Sequence, residues 1–444
     1  MRRLLFLSLL AAALLTGDAR AVAPWSEPTL TAGAMELAST APPTLFGIVQ
    51  PLPDPRPRRV ISAAVEGGVP GPTRQADASR ALNLVRVVDG GRVVAGVDLG
   101  RAAGPHHARL VRGRLGSRLG PPRSLRGRSR VSFLLDLAVN DAGDAVAAVR
   151  WCHTLGCGRQ SLQLVRWRAG SRLGKPLRIA RGGKLGAGVA LNARGDVAVI
   201  WDREQRGTDR HAVYGQILTA AGRLRSRRLL GHAPAAPRYR IAITGTRRVV
   251  AAWVAQEVNE CFANPGEIGV AQARAGGRFT RARRLANLRI SGCGRYVRDP
   301  GVAFARGPDG RVLIAWSGNE GPRWVVRAGE LGTSGVTSAA VVSDRATDAV
   351  LADLAIGPHG EAVILLADGV GGEDPTAPLR LLAVTRPAAP GAAFGAPEIV
   401  TSAIDSGGTV VFDRATRSVV AAYLTHGSDF MPATTVVTRP PVSG

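Results

Sequence analysis

The stretch AGVALNARGDVAVIW, residues 187–201, decides the fold. A short apolar run, Ala187–Asn192, is followed by the turn Ala193–Gly195 and by a second apolar run that ends at Trp201. Glycine adopts the positive φ that a tight hairpin requires, so the stretch predicts two antiparallel strands. The second run is apolar on both faces, which is typical of a strand covered on both sides.

The same pattern occurs seven times along the chain, with successive copies 50 to 63 residues apart. The aligned copies begin at Arg92, Asp144, Asp196, Arg248, Arg311, Glu361 and Ser418. The copy that contains Trp201 predicts two further strands, at His211–Thr219 and Leu224–Leu230. Four antiparallel strands in about fifty residues are typical of one blade of a β-propeller. We therefore expect an all-β fold, a single β-propeller of seven four-stranded blades over residues 81–440.

The N-terminal region precedes the repeats. Residues 1–21 carry two arginines, an apolar run and small residues, as a secretory signal does, with cleavage after Ala21 or Ala23. The run is shorter than a membrane span requires, and no later segment is long and apolar enough for one. Residues 24–31 resemble the fourth strand of the repeats and are expected to complete the last blade and close the ring.

Residues 32–80 lie between this closing strand and the repeats. They are rich in proline, with Pro51, Pro53, Pro55 and Pro57 in close succession, and are expected to be irregular. Val60–Val65 has the composition of a strand, which leaves an eighth, irregular blade as an alternative.

Four cysteines in an exported chain indicate two disulfides. Four cysteines allow three pairings, and we expect Cys152 with Cys157 and Cys261 with Cys293. Together with the signal, the cysteines predict a secreted or extracytoplasmic protein.

The chain is strongly basic, with a formal net charge of +25. Of its 58 basic residues, only Lys175 and Lys184 are lysine. Two interpretations are open: arginine that covers solvated strand faces, or a surface for a polyanion such as an acidic cell-envelope polymer. The densest basic stretch, Arg109–Arg130, contains no aromatic residue. This disfavours the base-stacking platform of a nucleic-acid-binding protein.

The repeat resembles those of secreted bacterial β-propeller proteins, loosely the WD-repeat and sialidase-like groups. The Trp-Asp dipeptide of WD repeats occurs at Trp201-Asp202, and the turns Asn140–Gly143 and Asn192–Gly195 are similar to the turn of the sialidase Asp-box. The resemblance covers about residues 81–440 and implies the fold. It implies no activity, because propellers carry many unrelated functions.

In a four-stranded blade, the loops between the second and third strands share a face with the loops that join the blades. These loops are polar and carry carboxylates and imidazoles, as functional loops often do. We expect a ligand-binding face formed by Asp202, Glu204, Asp209, Glu257, Glu260, Glu320, Asp368, Glu373, Asp374, His426 and Asp429. Calcium binding within this set is an alternative for Asp202, Glu204 and Asp209 or for Glu373 and Asp374. Neither group has the spacing of a calcium loop, so no cofactor and no metal site is predicted.

The sequence contains no phosphate loop, serine-hydrolase elbow or zinc-protease motif. It therefore favours an exported, monomeric, non-enzymatic binding scaffold without catalytic residues, whose partner is a protein or an acidic polysaccharide of the cell envelope. The alternative is a carbohydrate-active hydrolase or lyase that uses carboxylates of the same face as acid and base. Two carboxylates about 5–10 Å apart in a deep axial pocket would favour the enzyme.

Overall fold

A computed structural model describes most of the chain from residue 29 onward. The described residues are 29–32, 35–38, 43–49, 59–66, 69–70, 74–77, 82–88, 92–98, 107–114, 117, 119–125, 131–154, 157–183, 185–205, 208, 210–244, 248–255, 265–274, 276–289, 301–332, 335–369, 379–389, 391–404, 406–413, 415–426 and 432–440. Over these ranges the chain forms 33 strands and no helix. No segment of this part of the chain is a helix long and apolar enough to cross a membrane.

The strands follow the order of the chain. The N-terminal strands are β1 (Thr29–Ala32), β2 (Met35–Ala38), β3 (Thr44–Val49), β4 (Arg59–Glu66), β5 (Val69–Pro70) and β6 (Arg74–Asp77). The first two repeats form β7 (Leu82–Val88), β8 (Arg92–Asp98), β9 (Ala108–Arg114), β10 (Arg123–Ser124), β11 (Val131–Val139), β12 (Ala145–Cys152), β13 (Gln160–Trp167) and β14 (Leu177–Gly182). The next two form β15 (Ala187–Leu191), β16 (Val197–Glu204), β17 (His211–Leu218), β18 (Arg228–Ala233), β19 (Arg238–Ile243), β20 (Arg248–Ala255), β21 (Pro265–Arg274) and β22 (Arg283–Arg289). The last three form β23 (Val302–Arg306), β24 (Val312–Glu320), β25 (Arg323–Gly332), β26 (Gly335–Val341), β27 (Ala349–Ile356), β28 (Ala362–Asp368), β29 (Leu379–Arg386), β30 (Glu398–Ile404), β31 (Ser406–Phe412), β32 (Val419–His426) and β33 (Pro432–Arg439).

Seven sheets have four antiparallel strands, and each corresponds to one sequence repeat. In six of them the strands follow chain order, as β7–β10, β11–β14, β15–β18, β19–β22, β23–β26 and β27–β30, and the seventh has the order β31, β32, β33, β1. We number these sheets one to seven. Gly195 at the turn between β15 and β16 has a φ of 88°, as the hairpin requires. The predicted all-β fold with seven four-stranded sheets is confirmed, and it is consistent with a β-propeller.

An eighth sheet lies in the N-terminal region. It has the order β2, β3, β4, β5, with β6 also paired to β4. The sequence predicts an irregular segment at residues 32–80, and the structure differs by placing five strands there. The prolines at 51–57 come between the end of β3 and the start of β4 in the sequence, outside the described residues.

The two ends of the described chain meet in the seventh sheet. β1 pairs antiparallel with β33, and Thr29 lies opposite Val436. Residues 24–28 of the predicted closing strand lie outside the described residues. The first strands of successive sheets contact one another, for example β11 with β15, β15 with β19, and β27 with β31. β2 of the eighth sheet contacts both β31 and β7.

Arginine side chains join neighbouring sheets. The guanidinium of Arg166, on β13 of the second sheet, donates to the carbonyls of Gly195, Thr219 and Ala220 in the third sheet and its turns. Arg112, on β9 of the first sheet, packs 4.0 Å above the Trp167 ring of the second sheet. Burial lowers the pKa of Arg112 to about 10. The planar guanidinium of arginine can donate to several carbonyl oxygens at once, and a lysine ammonium fits such a set of acceptors less well.

A buried aspartate at a bulge joins the first strands of neighbouring sheets. Asp136 lies at an irregularity in the β11–β12 pairing, and its carboxylate accepts the backbone N–H of Val189 on β15 at 2.9 Å. Asp353 lies at the same kind of irregularity in β27 and accepts the N–H of Val410 on β31 at 2.9 Å. The side chain therefore supplies an acceptor for a neighbouring strand that the bulged ladder itself cannot supply.

Candidate functional site

A polar groove opens where the second and third sheets meet on the face of the loops that follow the second strands. The cavity has a volume of about 950 Å³. It is lined by His153, Gly158, Arg159, Gln160, Arg181, Gly182, Gly183, Arg203, Glu204, Gln205 and Thr208. We call this cavity the rim groove. Among these residues there is no aliphatic side chain and no Phe, Tyr or Trp, which distinguishes the groove from the mostly apolar pockets of drug-like ligands.

One wall of the rim groove is a short loop closed by a disulfide. Cys152, at the end of β12, is bonded to Cys157, so the predicted pair is confirmed. Within the loop the N–H of His153 donates to the carbonyl of Arg159 at 3.0 Å. The disulfide and this hydrogen bond hold His153 and Arg159 at the edge of the groove.

The ring of His153 is oriented by a buried serine. Its Nε2 lies 3.3 Å from Oγ of Ser161, which is fully buried. The side-chain amide of Gln163 donates to the same Oγ at 3.0 Å. The hydroxyl has a second lone pair and one proton, so it can accept from a charged imidazole or donate to a neutral one.

Further lining of the groove comes from β16 of the third sheet and from the end of β14 of the second. Arg203 and Glu204 lie at the end of β16, and Arg181 and Gly182 end β14. A Cβ atom on Gly183 would lie 3.7 Å from the Glu204 carboxylate. A Cβ atom on Gly182 would lie 3.1 Å from Nε of Arg203, so the two glycines leave room for the side chains of Glu204 and Arg203.

Asp202, two residues before Glu204, is not part of this surface. Its side chain is buried, with the residue 2% exposed. One carboxylate oxygen lies 2.5 Å from His211 Nδ1, while the other accepts the Tyr239 hydroxyl and the backbone N–H of Gly186. Burial, reinforced by the negative charge of Asp202, raises the pKa of Tyr239 well above its usual value. Through these contacts Asp202 connects β16 to β17, to β19 and to the segment before β15.

Two more of the expected binding residues are engaged within the protein. Asp368, at the end of β28, is 1% exposed and forms an ion pair with Arg380. Glu320 forms ion pairs with Arg327 at 3.5 Å and Arg345 at 3.7 Å. The expectation that Asp202 and Asp368 lie on an exposed face is therefore wrong. The adjacent sheets cover the ends of their strands.

The remaining expected residues cannot be assigned to this face. Asp209, Glu257, Glu260, Glu373, Asp374 and Asp429, and the predicted pair Cys261 and Cys293, lie outside the described residues. His426 ends β32, and its backbone alone is described. Glu204 is thus the one expected residue that the described structure places in the rim groove. In the described ranges, no group of three or more His, Cys, Asp or Glu side chains is placed to hold a metal ion.

The arginines of the rim groove were not singled out from the sequence. Arg159, Arg181 and Arg203 come from three different segments and are all exposed. Their spacing resembles that of many other arginines in the chain, so the sequence carries no signal for this cluster. Only the packing of the second sheet against the third brings them together.

A second cavity, of about 720 Å³, lies between the first strands β11, β15 and β19 and includes Arg86. Asp136 is the one carboxylate among its described lining residues, and it lies 3.5 Å from the Arg86 guanidinium. Burial raises the pKa of Asp136. The described lining of this second cavity therefore lacks the pair of carboxylates that glycoside hydrolysis requires.

No protein-family model matches the chain, and no curated protein sequence matches it. Among solved structures, a puromycin hydrolase is 16% identical with a TM-score of 0.40, over 79% of this chain and 51% of that one. The Penicillium chrysogenum α-L-arabinanase complexed with arabinobiose is 12% identical with a TM-score of 0.39, over 80% of this chain and 92% of that one. The polysaccharide lyase Uly1 is 9% identical with a TM-score of 0.42, over 95% of this chain and 100% of that one. The chain spans about half the length of the puromycin hydrolase.

These similarities correct one expectation. The sequence favours a non-enzymatic binding scaffold, and this expectation is corrected: the three solved structures just named are those of enzymes, a hydrolase, an arabinanase and a polysaccharide lyase. They are propeller-type proteins and they establish no specific family for this chain.

Proposed function

We propose that this chain is an exported carbohydrate-active enzyme, a hydrolase or lyase, that cleaves a polysaccharide in the rim groove. The observation that carries the proposal is that Glu204 and His153 both line one open polar cavity. A carboxylate and an imidazole are the side chains that most often transfer protons in enzymes.

The lining of the groove suits a ligand covered with hydroxyl groups. Gln205 and Thr208 offer amide and hydroxyl groups that both donate and accept hydrogen bonds. A volume of about 950 Å³ is large for a small molecule and leaves room for more than one sugar unit.

The chemistry of cleavage needs an acid and a base on either side of the bond. His153 lies at the edge of the groove with its Nε2 3.3 Å from Oγ of Ser161, which leaves Nδ1 as the ring nitrogen that can deliver a proton to a substrate. The Glu204 carboxylate lines the groove beside Gly183, which has no side chain to lie between it and a substrate. We assign Glu204 as the base and His153 as the acid.

Export and ring closure belong to the same proposal. The Cys152–Cys157 disulfide is of a kind that persists in oxidising compartments, which supports the secretory signal predicted at residues 1–21. The contacts of β2 with both β31 and β7 support a ring of eight sheets, in which the N-terminal sheet fills the gap between the seventh and the first.

The test is an activity screen with a matched pair of variants. The protein without residues 1–21 is incubated with neutral and acidic polysaccharides, and new reducing ends are measured. We expect Glu204→Gln and His153→Gln each to lower kcat by about 100-fold or more, the contribution of a general acid or base. Glu66→Gln, which changes an exposed glutamate on β4, should leave kcat unchanged.

Two outcomes would overturn this assignment. Either the wild-type protein cleaves none of the polymers, or Glu204→Gln is as active as Glu66→Gln. Circular dichroism of each variant confirms that the sheets have formed, so that a loss of activity reports on the groove.

A further inference from the structure

We infer that the substrate is a uronate-bearing polysaccharide and that the rim groove cleaves it by β-elimination. This inference rests on the proposed function and names its substrate class and reaction. It is carried by the charges that line the groove.

The groove has an excess of positive charge. Arg159, Arg181 and Arg203 line it, and Glu204 is the one carboxylate among its described lining residues. Within the described part of the chain, none of the three arginines forms an ion pair. A guanidinium binds a carboxylate through two parallel hydrogen bonds, so three of them around one cavity favour a substrate with repeated carboxylates.

The single carboxylate also decides between the two reaction classes. Glycoside hydrolysis generally uses two carboxyl groups, about 5–5.5 Å apart in retaining enzymes and about 6.5–9.5 Å apart in inverting ones. The described lining of the groove offers Glu204 alone, with His153 as its titratable companion. Elimination needs one base, one acid and a cation beside the substrate carboxylate, and this set is present.

The reaction balances with these groups. Glu204 removes the proton from the ring carbon next to the uronate carboxylate, and an arginine stabilises the negative charge that spreads onto that carboxylate. The electron pair forms a carbon–carbon double bond as the neighbouring glycosidic C–O bond breaks. His153, in its charged form, gives its Nδ1 proton to the departing oxygen. The products are a sugar with a free hydroxyl and an unsaturated uronate, and no water is consumed.

A buried amide in the wall points to a ligand at the same place. Gln160 is 8% exposed, and its Nε2 donates to the carbonyl of Cys157 at 2.9 Å. Its Oε1 has no hydrogen-bond partner. A buried acceptor without a partner is unfavourable, so a small shift of the wall that lets a substrate hydroxyl donate to it would be favourable.

The experiment compares one polymer in two forms. Polygalacturonate and its carboxyl-reduced, neutral form have the same linkages, and both are incubated with the full mature protein. Ultraviolet absorbance measures the unsaturated uronate, and a separate assay measures reducing ends. We expect absorbance and reducing ends to rise together with polygalacturonate, and no cleavage of the neutral form. The same comparison with alginate covers a second uronate linkage.

Variants test the role of the arginines. Arg181→Ala should raise KM for the uronate polymer about tenfold, equivalent to about 1.4 kcal/mol of lost binding. Arg181→Lys should raise KM by less than Arg181→Ala does, because lysine keeps the positive charge but lacks the planar pair of N–H donors. The control is Arg172→Ala, an exposed arginine outside the lining of the groove, which should change nothing.

The outcomes separate this inference from the proposed function. Reducing ends without unsaturated product, or cleavage of the neutral polymer alone, would overturn elimination and leave a carbohydrate hydrolase. An unchanged KM in Arg181→Ala would overturn recognition of the carboxylates by this groove. No cleavage of any polymer would overturn both the inference and the proposed function.

Discussion

Replacing Arg166 by lysine tests whether arginine fastens the second sheet to the third. In the wild-type protein Nη1 of Arg166 lies 3.2 Å from the Ala220 carbonyl, and Nη2 lies 3.0 Å from the carbonyls of both Gly195 and Thr219. Nη2 has two hydrogens, so the guanidinium makes three such hydrogen bonds across the two sheets. A lysine side chain has a single ammonium nitrogen, so it can keep about one of these three hydrogen bonds.

The expected loss follows from this count. A hydrogen bond that involves a charged group contributes about 1.5–3 kcal/mol when it is well shielded from water. Arg166 is half-buried, so we take about 1 kcal/mol for each bond, and two lost bonds give about 2 kcal/mol. The Nε of Arg166 is buried without a hydrogen-bond partner in the wild type, and this unfavourable term keeps the expected loss of stability near about 2 kcal/mol rather than higher.

The assay is urea unfolding followed by circular dichroism, with the free energy of unfolding taken by linear extrapolation. The matched control is Arg172→Lys, because Arg172 is exposed and should change the free energy by less than about 0.5 kcal/mol. If Arg166→Lys is as stable as Arg172→Lys, the hydrogen bonds across the sheets contribute nothing and the argument for arginine fails.

Two further changes test the packing and the electrostatics of the inner strands. Gly269→Ala should lower the free energy of unfolding by about 1–3 kcal/mol, because a Cβ atom there would overlap the indole ring of the buried Trp253 opposite it. Gly158→Ala is the control in the same urea experiment. A Cβ atom at residue 158 would have no atom within 4 Å, so the free energy of unfolding should change little. Asp136→Asn should be less stable than the wild type mainly at low pH. The folded-state pKa of Asp136 is raised by burial, so the stabilisation from its proton is present below about pH 4 and is lost as the pH rises through the raised pKa. A difference between wild type and Asp136→Asn that grows with rising pH would contradict this sign.

The arginine content of the chain has a structural explanation in part. The sequence leaves open whether the arginines are solvated or bind a polyanion. The structure shows a third role, because Arg439 and Arg386 are buried and pair with Glu398 and Glu330 of the preceding sheet, each at 3.0 Å. Guanidinium groups at such positions hold neighbouring sheets together through their fork geometry, and lysine could not replace them without loss.

The candidate site was predictable only at Glu204. The loop position of Glu204 follows from the repeat, since the second strand of the third copy ends there. Arg159, Arg181 and Arg203 could not be selected, because nothing in their local sequence separates them from arginines elsewhere. The glycines at 182 and 183, which leave room for Glu204 and Arg203, have a meaning only once the side chains of β16 lie across from them.

The sequence by itself determined the strands of the seven repeats, their order in each sheet and the Cys152–Cys157 disulfide, but not the five strands of the eighth sheet. These follow from local causes: apolar runs of strand length, a glycine in a positive-φ turn and two cysteines within one short loop. The tertiary structure decided which side chains are available for chemistry. Asp202 and Glu204 are two residues apart on one face of β16, yet Asp202 is covered by Tyr239 of the next sheet while Glu204 reaches the groove. That difference depends on where the neighbouring sheet ends, which no local pattern specifies.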